Sequence, residues 1–376
     1  MNINFKFNSD KMKIAYIVEP RKVIGGGVRA AMNLVKGLKL YHNQDSCIFG
    51  IYKNTVADAN VRFFPVKTLK PFSLNYWNSL HQFIRTEKPD IVHCLGLYTA
   101  LLCILQKKIY HKKYKVVCTV HRVSMNLRYK HFIHPVVKFI AKNVDATTFL
   151  TKFQKKHYFD NIKFNPTQHT IIPNVIFVAS TDETNIRLRN ELKSKLNTDY
   201  IFSYVGRIFS GKNIEFFLQV IAQLNQKGIN AGGVLVGGYE QTYYDLLKKI
   251  ITENHIDNKI LFIGYVNNPT SYIAACDFIL FPTKSEALPN LLIESYAIGK
   301  PVFSSNIPQM ADLIENENNG FIHSTNDLEG FCEKIISVIN NPSKQKEVAL
   351  NAIHTYNTLY EPEIVTKKYY KIYTSL

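Results

Sequence analysis

The chain of 376 residues is 46% hydrophobic and 20% charged, the composition of a folded globular protein and too long for one compact doubly wound domain, so two domains are expected. Its formal net charge of +17 is unevenly held: residues 1–175 carry 28 Lys and Arg against 8 Asp and Glu, whereas residues 176–376 carry 18 against 21. No run of about 18 apolar residues exists to cross a membrane, and the run Ile14–Val18, ending at Glu19, is too short for a signal peptide, so no export is expected.

In chain order, Lys13–Val18, Ser46–Ile51, Asp90–Leu95, Lys115–Val120 and Asp145–Leu150 are short β-branched and aromatic runs that predict strands. Between them, Val28–Leu40, Leu74–Thr86, Leu97–Lys108 and Pro135–Asn143 repeat apolar residues at helical spacing, with Pro135 suited to a first helical position. His169–Pro173 followed by Asn174 closes this unit, and Ala179–Thr198 predicts a boundary followed by a surface helix. A second alternation follows. Its strands are Tyr200–Val205, Gly233–Val236, Lys259–Ile263, Asp277–Phe281 and Pro301–Ser304, and its helices Asn213–Leu224, Tyr243–Asn254, Leu291–Ala297 and Leu328–Ile339. Strict alternation requires parallel sheets covered on both faces. The expected fold is therefore α/β, with two Rossmann-like doubly wound domains facing a cleft, residues 12–176 and 177–359, and ligands at the carboxyl ends of the strands. Six cysteines (Cys47, Cys94, Cys103, Cys118, Cys276, Cys332) form no C-x-x-C pair and lie mostly in apolar stretches, which predicts reduced, buried thiols.

Three motifs carry chemistry. The first strand runs into Ile24-Gly25-Gly26-Gly27 and a helix, leaving backbone amides free to approach a phosphate or sugar. A plain tight turn fits the same residues. A nicotinamide dinucleotide site fits less well, because the G-x-G-x-x-G spacing is missing. The second unit opens with a strand leading to Gly206-Arg207 and Lys212, two cations five residues apart before a helix and able to hold a diphosphate. The third motif runs from Phe281 to Val302. A strand ends at Phe281, a turn carries Glu286, and a helix beginning near Pro289 carries Glu294 one turn in, with free amides at its start. No D-x-D pair stands near a strand end, and no metal is expected.

These pieces, in this order, resemble the family-4 glycosyltransferases of the GT-B fold over nearly the whole chain. The likeness rests on Gly25-Gly26-Gly27, Thr119-Val120-His121, Ile172-Pro173-Asn174, Gly206-Arg207 with Lys212, the E-x7-E stretch from Glu286 to Glu294, Gly299-Lys300-Pro301-Val302 and Asn319-Gly320-Phe321. The resemblance implies a retaining transferase that needs no metal or other cofactor and takes a nucleotide-diphosphate sugar, UDP- or GDP-linked, as donor. By it, Arg207 and Lys212 bind the diphosphate, Glu286 lies beside the transferred sugar, and Glu294 accepts from the ribose hydroxyls. Backbone around Pro289, Asn290, Leu291 and Leu292 would contact sugar and phosphate, Tyr265 and Val266 would lie by the base, and Gly26, Gly27 and His121 would approach the sugar from the first domain. A terminal helix, residues 360–376, with Val365, Tyr369, Tyr370 and Tyr373 at helical spacing, would cross back onto the first domain. Ala287 departs from the pattern, which usually has glycine there, and leaves the sugar open.

Positive charge in the first half gathers around Lys107-Lys108, Lys112-Lys113 and Lys115 and from Arg122 to Lys142, including Arg128-Tyr129-Lys130-His131-Phe132. Basic residues interleaved with aromatics suit an anionic membrane surface bearing a lipid-linked glycan acceptor, with a solvated basic face as the alternative. Tyr76-Trp77 with Leu80, Phe83 and Ile84 fits either an anchoring helix or a core-facing one. The expectation is transfer of a hexose in cell-surface polysaccharide synthesis (lipopolysaccharide or capsule), at the cytoplasmic face of the membrane. An epimerase or phosphorylase of the same fold, and a basic nucleic-acid- or membrane-binding scaffold, are the alternatives. Nucleic acid is disfavoured because the basic half carries no helix-turn-helix, zinc-finger or RNA-recognition signature.

Overall fold

The computed structural model describes residues 12–20, 26–52, 61–66, 68, 70, 73–122, 130–178 and 183–376, without the side chains of 52, 130–132 and 183–184. The chain divides into two compact units, Met1–Phe177 with Glu361–Leu376, and Val178–Tyr360. Ile24, Gly25, Arg128 and Tyr129 from the sequence motifs lie outside the described residues, as do the side chains of Lys130, His131 and Phe132.

In the first unit the strands are β1 (Ile14–Ile17), β2 (Ser46–Tyr52), β3 (Arg62–Val66), β4 (Ile91–Leu95), β5 (Lys115–Val120), β6 (Ala146–Phe149) and β7 (His169–Ile171). They pair in parallel in the order β3-β2-β1-β4-β5-β6-β7. The connecting helices are α1 (Gly26–His42), α2 (Leu74–Glu87), α3 (Leu97–Ile109), α4 (Lys130–Asn143) and the short α5 (Lys152–His157). Both faces of the sheet are buried, as parallel strands require. Along β1, Ile14 and Tyr16 face one apolar layer with Leu34 and Leu38 of α1, while Ala15 and Ile17 face the other with Leu80, Ala100 and Ile140.

The terminal helix of the chain, Pro362–Thr374, completes this unit by packing on α1, with Val365, Tyr369 and Tyr373 buried in the α1 layer. Gly37 lets it approach, since a Cβ there would collide with the Thr366 hydroxyl. Its tyrosines reach a buried polar chain: the Tyr373 hydroxyl lies 2.9 Å from that of Tyr16 and 2.7 Å from Nδ1 of His93, whose Nε2 lies 2.6 Å from Oγ1 of Thr119. Thr119 in turn bonds Thr148 on β6. Burial pushes the His93 pKa down to about 3, so the ring is neutral and can serve as donor on one nitrogen and acceptor on the other.

The second unit opens with α6 (Glu183–Leu196) and has strands β8 (Tyr200–Val205), β9 (Ala231–Val236), β10 (Ile260–Gly264), β11 (Phe278–Phe281), β12 (Val302–Ser305) and β13 (Phe321–His323), parallel in the order β10-β9-β8-β11-β12-β13. Its helices are α7 (Ile214–Gln226), α8 (Gln241–Glu253), α9 (Thr270–Ala275), α10 (Asn290–Ile298), α11 (Pro308–Ala311), α12 (Leu328–Ile339) and α13 (Pro342–Thr355), and the terminal helix is α14. In each sheet the order reverses beside the first strand, between β1 and β4 and between β8 and β11, which opens a crevice at the carboxyl ends of those strands.

Several local expectations change. The helix expected to begin at Pro135 begins at Lys130 and carries Pro135 inside it, on an exposed stretch with Val136. In α2, Tyr76, Leu80, Phe83 and Ile84 are buried, so that face belongs to the core and does not serve as an anchor. All six cysteines are free and buried. Among the described residues no helix is long and apolar enough to cross a membrane.

Candidate active site

In the second unit, glycines with positive φ stand at the carboxyl ends of three neighbouring strands: Gly206 (150°) directly after β8, Gly237 (140°) directly after β9 and Gly264 (78°) as the last residue of β10. Gly237 is required by contact as well, because a Cβ there would collide with the carbonyl oxygen of Gly206. The strand ends are stitched together: Gly206 N–H donates to Val236 O at 2.9 Å, Gly237 N–H to Gly264 O at 2.8 Å and Ile208 N–H to Gly238 O at 2.9 Å. A hydrogen-bonded shelf of partly exposed backbone results.

Arg207 follows Gly206 on this shelf and is exposed, its guanidinium 4.5 Å from the centre of the Phe209 ring. The buried Tyr204 hydroxyl donates to Arg207 O at 3.1 Å and fixes the backbone beneath it. A single 3-10 turn, Ser210–Lys212, then leads to Asn213 in the left-handed conformation, and α7 begins one residue later than expected. Lys212 points back toward the shelf, with Nζ 5.6 Å from the Phe209 ring and 5.8 Å from that of Phe281.

Across the sheet reversal, β11 ends at Phe281 and the following loop brings Glu286 to Lys212, where the two form an ion pair largely withdrawn from solvent. The buried Thr283 hydroxyl lies 3.1 Å from the same Glu286 oxygen, and Lys284 N–H donates to Gly211 O at 3.0 Å, tying the two loops by backbone too. The Ser305 hydroxyl donates to Thr283 O at 2.6 Å. Thr283, Phe209 and Gly237 were not singled out from the sequence, whereas Gly264 was, with Tyr265 and Val266, as backbone beside the base. Gly237-Gly238 directly after a strand was the readable signal, whereas nothing marked Thr283.

Helix α10 starts at Asn290 with Pro289 as its cap, and no side chain caps its first turn. Leu291 and Leu292 are buried and seat the helix, leaving first-turn amides available for an anion or hydroxyl. Glu294 is half-buried, four residues beyond Asn290 and so on the same side of the helix. Tyr265 is 72% exposed at the end of β10, with Val266 half-buried beside it. The structure thus brings Arg207, Lys212 and Glu286 together around one sheet reversal. Among the described residues, no group of three or more His, Cys, Asp or Glu side chains is arranged to hold a metal ion.

The remaining candidates belong to the first unit. Gly26 and Gly27 form the first turn of α1, with no described atom within 4 Å of where a Cβ would stand. His121 follows β5; its Nε2 is shielded and has no hydrogen-bond partner among the described residues, and burial lowers its pKa to about 4. Gln154 holds the backbone around it, donating to Val120 O at 2.9 Å and Arg122 O at 2.8 Å. A neutral imidazole with an unsatisfied nitrogen is suited to a hydrogen bond with a neutral ligand hydroxyl.

Comparison with known proteins bears on the family and the fold. The family described as Glycosyltransferase Family 4 matches residues 24–179, and that described as Glycosyl transferases group 1 matches residues 186–355. The chain is 24% identical over 355 residues to the UDP-Gal:alpha-D-GlcNAc-diphosphoundecaprenol alpha-1,3-galactosyltransferase of Escherichia coli, covering 89% of this chain and 90% of that protein. It is 26% identical over 201 residues to the capsular polysaccharide biosynthesis glycosyltransferase CapM of Staphylococcus aureus, a match that spans 51% of this chain and 50% of CapM. Among solved structures, HepE of Anabaena in complex with UDP-glucose shares the fold, with a TM-score of 0.81 at 17% identity over 97% of this chain and all of that one. Two consecutive family matches, two Rossmann-like sheets and a C-terminal helix returned to the first unit establish that the chain belongs to the family-4 glycosyltransferases of the GT-B fold.

Proposed function

We infer that the protein is a retaining hexosyltransferase that uses a nucleotide-diphosphate sugar, UDP-linked in preference to GDP-linked, to extend a lipid-linked glycan for a cell-surface polysaccharide. The observation that carries this is the Lys212–Glu286 pair beside Arg207 at the β8/β11 reversal. Breaking the bond between an anomeric carbon and a diphosphate leaves negative charge on the departing nucleotide and positive charge on the sugar. Arg207 and Lys212 stabilise the first, and Glu286 stands where it meets the second. No metal is needed if these cations carry the charge. Glu294 accepts from the ribose, the α10 amides meet phosphate and sugar, and the backbone by Tyr265 and Val266 reads the base. His121, Gly26 and Gly27 serve the sugar from residues 12–176, the acceptor domain joined by 360–376, while residues 177–359 hold the donor.

The preference for uridine and for a lipid-linked acceptor is supported by what the Escherichia coli and Anabaena relatives are named for and by the basic first half of the chain. The same charge supports attachment to the cytoplasmic face of an anionic membrane. Thermal shift and nucleotide release with UDP-, GDP-, ADP-, CMP- and dTDP-sugars test the reading. One donor should stabilise the wild type, fail to stabilise Arg207→Ala, and be slowly hydrolysed except by Glu286→Ala. Indifference to every donor would refute it.

A further inference from the structure

At the amino-terminal edge of the first unit's sheet, opposite the strand ends that carry His121, lies a cavity of about 540 Å³. Strands of four to six residues put the two edges roughly 13–20 Å apart, so an occupant of this cavity is neither the transferred sugar nor its nucleotide. Arg85, Lys88, Lys112, Lys113 and Lys115 line it together with Leu376, and Asp90, which already accepts from Lys13 N–H at 2.7 Å, is the one acidic side chain among the described residues of the lining. Its apolar wall includes Ile84, Pro89 and Tyr114.

The rim is fixed by backbone. Lys115 N–H donates to Asp90 O at 2.8 Å, Asp90 N–H to Lys13 O at 2.9 Å and Lys112 N–H to Lys107 O at 2.9 Å, and Lys88 caps α2 in the left-handed conformation with its N–H on Ile84 O. Lys115 shares Asp145 with Lys107. Arg85, Lys88, Lys112 and Lys113 make no side-chain ion pair or hydrogen bond among the described residues.

Cations at this edge have a simple alternative cause, since helices end there and their carbonyl ends favour positive charge. The second unit supplies the internal comparison. At its corresponding edge Lys259 donates to Asn197 O and Asn230 Oδ1, Lys300 to Cys276 O, and Lys227 pairs with Glu329. Those cations are satisfied by the protein, whereas Arg85, Lys88, Lys112 and Lys113, which line the first unit's cavity, have no such partner among the described residues. Mutual repulsion of unpaired cations is a cost that an anion removes.

We propose that this cavity is a second anion site, separate from the donor site, that takes a phosphate-bearing ligand. The proposal stands whether or not the donor reading holds. Calorimetric titration of the full chain carrying Arg207→Ala with inorganic pyrophosphate tests it, with Lys88→Gln/Lys112→Gln/Lys113→Gln as the cavity variant. A control, Lys152→Gln/Lys155→Gln/Lys156→Gln on α5, removes equal charge elsewhere.

Saturable binding that weakens at least tenfold in the cavity variant, and less than twofold in the control, is expected. Absence of saturable binding, or equal loss in both variants, would overturn the site and leave only diffuse charge. Phosphatidylglycerol vesicles identify the source of the phosphate. Vesicle binding that falls in the cavity variant and is displaced by pyrophosphate assigns it to a lipid headgroup, and saturable pyrophosphate binding with vesicle binding unchanged assigns it to a soluble phosphate.

Discussion

Lys212, on the turn after β8, is ion-paired with Glu286, on the loop after β11, and the Thr283 hydroxyl donates to the same carboxylate oxygen. The donor's diphosphate would thus enter a site where the half-buried Lys212 is already oriented by the acid proposed to face the sugar. Lys212→Ala should lower kcat by about 10²–10³-fold, the usual effect of removing one preorganised charge-stabilising donor. Lys284→Ala, on an exposed residue of the same loop, should leave the rate within about twofold. Steady-state kinetics with the donor found by thermal shift decides the matter.

Thr283 acts through Glu286. Replacing it by valine keeps the shape and removes a hydrogen bond worth about 0.5–1.5 kcal/mol, so kcat/KM should fall roughly 2–12-fold. Thr283→Ser should recover most of the loss, and a valine variant as active as wild type would show that the carboxylate needs no such support.

The strand-end glycines separate into two kinds. Gly237→Ala should abolish nucleotide binding and destabilise the second unit, because the new methyl meets the Gly206 carbonyl. At Gly264, nothing stands within 4 Å of a Cβ, so Gly264→Ala should cost only the left-handed backbone penalty of about 1–2 kcal/mol. Denaturant midpoints of the two variants measure the contrast.

His93 predicts a pH dependence of stability. Its folded pKa, about 3, lies below the ordinary 6.5, so between those values the unfolded chain binds a proton that the folded chain does not. Its contribution is complete above pH 6.5 and is lost as pH falls toward 3, with a slope approaching about 1.4 kcal/mol per pH unit. The urea midpoint of the wild type should drop over this range, and His93→Gln should flatten the drop.

The parallel α/β plan and most strands were legible because buried strands show as compact apolar runs between helical repeats. The strands that escaped are short or half-buried: β3 contains Pro65 and sits at the sheet edge, and β7 and β13 have three residues each. Helix α13 escaped because only Val348 and Ala352 of its 14 residues are buried, which leaves little apolar period to read. At the site, residue types and order were readable, but pairing was not. Lys212 and Glu286 are 74 residues apart and are brought together by the sheet order, and His93 and Tyr373, 280 apart, by the terminal helix docking on α1.

The stereochemistry of the sugar first released from the donor tests the central claim most directly. Early in turnover, proton NMR should show free sugar with the anomeric configuration of the donor, formed together with nucleoside diphosphate and lost in Glu286→Ala. Release of the opposite anomer, or release unaffected by Glu286→Ala, would contradict retaining transfer at the Lys212–Glu286 site.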